Sequence, residues 1–391
     1  MARSGHSNSR QDTARTLPHW LQYQAHRRGK ALALRYKYRG IWQEKRWGEL
    51  AQEVEQVARS IAEEGFLFGE PLVLLTHPRP EALTVSLATQ WLGGTVIPLD
   101  PAIEDSDLAQ LLRQIGPRFL LAEDQQQVDR VLEAGLEEDC LLIYADGRGL
   151  STYRRRELTS YQALRDMGVL LRPIAPLAVP LQPAFRFYQS VPGQGGQVRE
   201  LSHAALIADG IRIIQTEQLR ADDEALAARA FAAAGQVRYL LAPWLIGGFR
   251  LNLPESLATR DADRRELGPT LVLGTKETYE RLARWVQERL PEPGSLRRKL
   301  VDWSLQPELG GAARWLAELL IRRPLRDVIG FTRTRHPLVV GSLPEGDTAR
   351  LFQALGIHIR NWDDGESWQT QDRAIPDAAP GVLTASGTGS L

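Results

Sequence analysis

Between residues 49 and 144, short apolar runs alternate with stretches whose apolar residues recur at helical spacing, and this alternation constrains the fold more than any other feature. Leu50, Val54, Val57, Ala58 and Ile61 fall on one face of a helix over 49–64, and Gly65 supplies its stop. The run 71–76 reads as a buried strand, followed by a helical stretch over 80–92 and a strand over 95–99. The order then repeats, with helices over 107–115 and 125–134 and strands over 118–122 and 140–144. Fully apolar strands separated by helices predict an α/β fold with a mainly parallel sheet.

Pro173, Pro176, Pro180 and Pro183, with Pro192 just beyond, interrupt regular structure and place a subdomain boundary there. A second α/β series is expected after it: a helix over 203–215, strands over 238–242 and 270–273, and helices over 276–290 and 311–321. It closes with a strand over 337–340, a helix over 347–355 and the apolar piece 357–359. The expected organisation is a disordered polar lead-in over 1–15, one α/β subdomain over 16–183, a second over 184–377, and a small-residue tail over 378–391. The lead-in lacks the apolar segment of a secretory signal.

Charge excludes some functions. Lys plus Arg and Asp plus Glu are both 48, so no net field draws the chain to nucleic acid or to an anionic membrane. No stretch reaches the roughly 20 apolar residues of a membrane span. The expectation is a cytoplasmic protein, with peripheral membrane contact left open and small molecules or proteins as partners. Cys140 sits in an apolar strand and reads as a buried thiol. The seven histidines form no helical metal-binding pair, so no metal site is expected. Arg154, Arg155 and Arg156 read as a solvated face. Trp303, Trp315, Trp362 and Trp368 read as core or interface residues, and Ser202-His203 as a helix cap rather than a catalytic pair.

The segment 189–198 is rich in glycine and lies between the strand 185–188 and the helix that begins near His203. Such a turn can aim backbone N–H groups at a phosphate; an ordinary glycine-rich surface loop is the alternative. Ser190, Gly193, Gly195, Gly196 and Gln197 are its candidate nucleotide contacts.

Tyr188, Ser190, Leu201, Ser202 and His203 fall in register with a Tyr-Thr-Ser-Gly-Thr-Thr-Gly-x-Pro-Lys-Gly segment followed by Leu-Ser-His. Upstream, Trp47-Gly48-Glu49-Leu50, Arg79-Pro80-Glu81 and Leu92-Gly93-Gly94 match in order; downstream, Gly268-Pro269-Thr270, Pro324-Leu325-Arg326-Asp327 and Leu355-Gly356-Ile357 do. Over roughly 17–382 the chain resembles an AMP-forming acyl-CoA synthetase of the long-chain type, in the adenylate-forming ligase superfamily. The resemblance implies the two-subdomain α/β fold of that family's N-terminal domain, ATP or AMP with Mg as cofactors, and a fatty acid or acyl-CoA as ligand. It also implies an acyl channel near Trp244, Gly247, Gly248 and Gly274, and a family lid and hinge lying beyond residue 391.

The sequence departs from the family at its nucleotide motifs. Gln197 stands where the family has its phosphate-contacting lysine; Val191, Gln194 and Val198 stand where it has glycines. Losing a charge-assisted hydrogen bond removes roughly 1.5–3 kcal/mol of phosphate affinity. The second signature, an aromatic face for adenine and a carboxylate for Mg, has two alignments. Without a gap it falls on Asp363, Asp364 and Ser367; with one deletion, Trp362 takes the aromatic position and Glu366 the carboxylate. Three functional readings follow: a catalytically impaired homologue that keeps an acyl or nucleotide pocket, a non-catalytic subunit acting through protein contacts, or an active fatty acid–CoA ligase.

Overall fold

The computed structural model describes residues 14–153, 158–191, 195–306 and 309–362. Helix α1 (Leu17–Arg28) opens the chain, followed by the hairpin β1 (Leu32–Tyr38) and β2 (Ile41–Arg46) and by helix α2 (Trp47–Glu63). Arg39 and Gly40 both have positive φ, 49° and 74°, as the tight turn joining two twisted strands requires. Strands and helices then alternate: β3 (Pro71–Leu75), α3 (Pro80–Trp91), β4 (Thr95–Leu99), α4 (Asp105–Ile115), β5 (Phe119–Ala122), α5 (Gln125–Glu133) and β6 (Leu141–Tyr144). After β7 (Leu158–Ser160) and α6 (Tyr161–Leu170) comes a second hairpin, β8 (Pro183–Val191) and β9 (Gly195–Ser202), and then α7 (His203–Glu217). The remaining strands are β10 (Glu224–Leu226), β11 (Arg250–Leu253), β12 (Leu271–Gly274), β13 (His336–Val339) and β14 (Arg360–Asn361).

The strands form two seven-stranded sheets, β7-β6-β5-β3-β4-β8-β9 and β14-β13-β12-β10-β11-β1-β2. Each is parallel except for the antiparallel hairpin at one edge. The α/β class read from the alternation is therefore observed. The two sheets nevertheless interleave along the chain instead of dividing at residue 183. β8 pairs with β4, so 183–202 completes the first sheet, and β1 pairs with β11, so 32–46 belongs to the second.

Helices pack between the sheets around a shared hydrophobic cluster, and each sheet carries a further cluster of its own. The centre of the shared cluster is the stacked pair Trp47 and Trp244, ring centroids 4.8 Å apart and both fully buried, with the Trp244 indole N–H donating to the carbonyl of Ala33 at 3.0 Å. Sequence reading differs from the structure at 238–242. These residues are helical, as part of the π segment Val237–Leu241 and the helix Ala242–Gly247, rather than a strand. The run Tyr239-Leu240-Leu241-Ala242 is buried on all sides, which removes the helical periodicity, and Pro243 sits in the first turn of the helix that follows. The last strand, paired with β13, is Arg360–Asn361, just after the apolar piece 357–359.

Candidate functional site

The nucleotide-loop candidates lie on the β8–β9 hairpin. Its antiparallel register sets Val191 opposite Gly195, Ser190 opposite Gly196, Gln189 opposite Gln197 and Tyr188 opposite Val198. The pairing brings Ser190, Gly195, Gly196 and Gln197 together, while Gly193 lies outside the described residues. The segment expected to be a loop is thus largely paired strand. β-Branched Val191 and Val198 favour that conformation, and cross-strand bonds use N–H groups that an anion-binding nest would turn outward.

The Leu-Ser-His segment after the hairpin does structural work. The Ser202 hydroxyl caps α7 by accepting from the Ala205 amide at 3.2 Å. His203, fully buried, accepts the Leu17 amide at its Nδ1 at 3.3 Å. Burial first, and then the nearby His19, push the His203 pKa down to about 3.

Trp362, the adenine-face candidate, is held from three directions. Its indole N–H donates to Glu217 Oε1 at 2.8 Å, its amide donates to the Val339 carbonyl at 2.9 Å, and the Arg212 guanidinium lies 5.3 Å over the ring, with the Tyr239 ring at 5.9 Å. Arg360 donates to the other oxygen of Glu217 at 2.7 Å. Burial opposes ionisation of Glu217, yet His336, 3.9 Å away, and the hydrogen bonds from Arg360 and Trp362 outweigh it and bring the pKa down to about 2. Asp363, Asp364 and Glu366 lie outside the described residues.

Of the acyl-channel candidates, Trp244 and Gly248 are buried and Gly247 is half-buried. Trp244 fills the core against Trp47. A side chain on Gly247 would meet Phe249 at 3.2 Å and Ile214 at 3.4 Å. Gly248 ends its helix at φ +67°, where a Cβ would meet Arg28 and Gln24 at 2.7 Å, and Gly274 lies within about van der Waals reach of Thr278 and Tyr279. Gly247 and Gly248 lie together at the end of the helix Ala242–Gly247, whereas Gly274 is on β12.

Sequence reading missed a charged cluster at the carboxyl ends of β3 and β5. These neighbouring strands connect onward in opposite directions across the first sheet, to β4 on one side and β6 on the other, and such a switch point opens a crevice in α/β sheets. His77 Nδ1 lies 2.6 Å from Glu123 Oε2, and the His77 amide donates to the same oxygen at 2.8 Å. Arg79 bonds Glu81 at 2.8 Å and approaches Glu123 at 3.7 Å. Although burial works against charge on both, the contact with Glu123 raises the His77 pKa and the contact with His77 lowers that of Glu123. The signal available beforehand was a polar residue directly after each of two apolar strands. Arg79 stands between the carboxylates of Glu81 and Glu123, so the cluster can orient or exchange a proton but is not an anion grip. A cavity of about 330 Å³ lies at the second sheet, beside Arg27, Arg28, Gly248 and Arg250, at the end where β1 and β11 begin.

A Mg-nucleotide does not fit these residues as the resemblance implies. The position that the resemblance gives to the lysine is Gln197, on a paired strand, and Trp362 is tied to a buried carboxylate.

A sequence profile described as AMP-binding enzyme matches residues 21–188. The 2-succinylbenzoate–CoA ligase of Escherichia coli strain K12 is 29% identical over 106 residues, which are 27% of this chain and 22% of that protein. The adenylation domain of a carboxylate reductase from Mycobacterium chelonae superposes with a TM-score of 0.70 at 16% identity, covering 91% of this chain and 58% of that one. Apo MatB from Rhodopseudomonas palustris gives 0.64 at 15%, covering 89% and 59%. The chain thus spans about a fifth of the ligase matched in sequence and somewhat over half of the matched structures. Residues 21–188 match the AMP-binding enzyme family, and the described chain has a two-sheet fold like that of the matched adenylation domain and of MatB.

Proposed function

We propose that this chain is a catalytically impaired, ligase-like member of the adenylate-forming type, which does not itself activate a carboxylic acid with ATP. The observation that carries this reading is the β8–β9 hairpin, where Gln197, paired with Gln189, occupies the position of the phosphate-contacting lysine. A neutral amide supplies no charge to a triphosphate, and the missing charge-assisted bond alone corresponds to about 10–100-fold in affinity or rate. Trp362 supports the same reading, because its polar edge is taken by Glu217 and one ring face by Arg212.

Carboxylic acids are the ligand class suggested by the names of the ligase and the reductase it resembles. The long-chain fatty acid read from the sequence has less support, since Trp244 stacks on Trp47 and a side chain on Gly247 would meet Phe249 and Ile214. The test is pyrophosphate release with Mg-ATP, CoA and a panel of acids including palmitate, malonate and 2-succinylbenzoate. The expected rate equals the no-protein blank with every acid. Acid-dependent pyrophosphate release would establish an active ligase and overturn the proposal.

A further inference from the structure

Two neighbouring helices leave large apolar side chains in water. On Leu296–Ser304, Leu296 and Leu300 lie one turn apart and are 83% and 50% exposed. On the helical stretch Gly311–Ala317 and Glu318–Arg322, Trp315, Leu316, Leu319 and Leu320 are 63%, 43%, 44% and 60% exposed. Their i, i+1, i+4, i+5 spacing places these four on one face. Buried Arg322 fastens the two helices, donating to the carbonyls of Ser304 at 2.8 Å and Gln306 at 2.9 Å. One exposed leucine is ordinary; six large apolar side chains on two fastened helices form a surface that calls for an occupant.

The charges around this surface identify its chemistry. Over 296–323 the basic residues are Arg297, Arg298, Lys299, Arg314, Arg322 and Arg323, and the acidic ones Asp302, Glu308 and Glu318, six against three in a chain whose total charge is zero. Asp302 is taken by Arg298 and Glu318 by Arg326. Arg297, Lys299, Arg314 and Arg323 are exposed and have no carboxylate partner among the described residues. The balanced total, which argues against an anionic surface for the whole chain, conceals this local excess.

We propose that the helix pair docks the protein on an anionic lipid surface, with Trp315 and the leucines entering the boundary between headgroups and acyl chains and the free cations meeting the lipid phosphates. An exposed tryptophan among leucines, fringed by arginine and lysine, is the pattern of a helix lying in the plane of a membrane. No described helix is long and apolar enough to cross one. The inference stands apart from the fate of the nucleotide hairpin.

Co-sedimentation of the full chain with phosphatidylcholine vesicles, with and without phosphatidylglycerol, tests it. Binding is expected only with phosphatidylglycerol, and it should weaken as salt rises toward about 0.5 M. Trp315→Glu with Leu319→Glu should lower the bound fraction about tenfold, and Arg297→Glu with Lys299→Glu should abolish the preference for anionic vesicles. All four side chains are exposed, so circular dichroism and the thermal midpoint should stay at their wild-type values. The proposal is overturned if the wild type stays in the supernatant, or if the Trp315/Leu319 variant pellets equally. A Trp315-dependent dimer in light scattering without vesicle binding would assign the surface to a second copy of the chain.

Discussion

Lowering the pH from 7.5 to 5 should cost about 2 kcal/mol of folding stability through His203, with the loss growing to about 4 kcal/mol near pH 3. His203 is fully buried, and its pKa falls from 6.5 to about 3 on folding. The unfolded chain therefore binds a proton below pH 6.5 that the folded chain refuses. Stability is complete above 6.5 and declines as pH falls from there toward 3. Geometry gives the reason: Nδ1 already accepts the Leu17 amide, and Nε2 is buried without a partner, so an added proton would set two donors against each other. His203→Asn, whose side-chain oxygen can accept the same amide, should be less stable than wild type at pH 7.5 and should lack the decline between 6.5 and 5. Urea unfolding of both proteins across this range measures the difference. Equal slopes would remove His203 from the account.

Trp244→Ala should lower the unfolding free energy by about 3–5 kcal/mol. The indole is fully buried, stacks on Trp47 and satisfies the Ala33 carbonyl on β1, so truncation opens a cavity between α2 and β1 and strands a buried acceptor. A channel-lining tryptophan would behave differently, with less than about 1 kcal/mol lost and a changed acyl preference. Denaturant titration of the variant, read with Trp244→Phe as the milder change, decides between core and channel. A small loss of stability would restore Trp244 to the channel.

The first sheet was legible because its parallel strands are buried on both faces. The runs at Pro71–Leu75, Thr95–Leu99 and Phe119–Ala122 are short, apolar and bounded by turns, so periodicity alone separates them from the helices. The hairpin β1–β2 was not, since Arg35, Lys37, Gln43, Glu44 and Lys45 interrupt its pattern at the edge of a sheet built mostly from residues two hundred positions later. Pairing also hid the state of the glycine-rich segment, because nothing local in 189–198 says that Gln189 will face Gln197. At the site, residue identity was readable and partnership was not. Gln197 could be recognised as a departure from the sequence, whereas the hold of Glu217 on Trp362 spans 145 positions and that of Glu123 on His77 spans 46. Such contacts depend on the topology of the sheets.

Calorimetric titration with Mg-ATP, on the wild type and on Gln197→Lys, tests most directly whether the nucleotide grip has been lost at this hairpin. The account predicts no saturable binding by the wild type up to about 1 mM and a gain of about tenfold or more on restoring the lysine charge. Saturable wild-type binding with a Kd below about 100 µM, unchanged by the lysine, would contradict it.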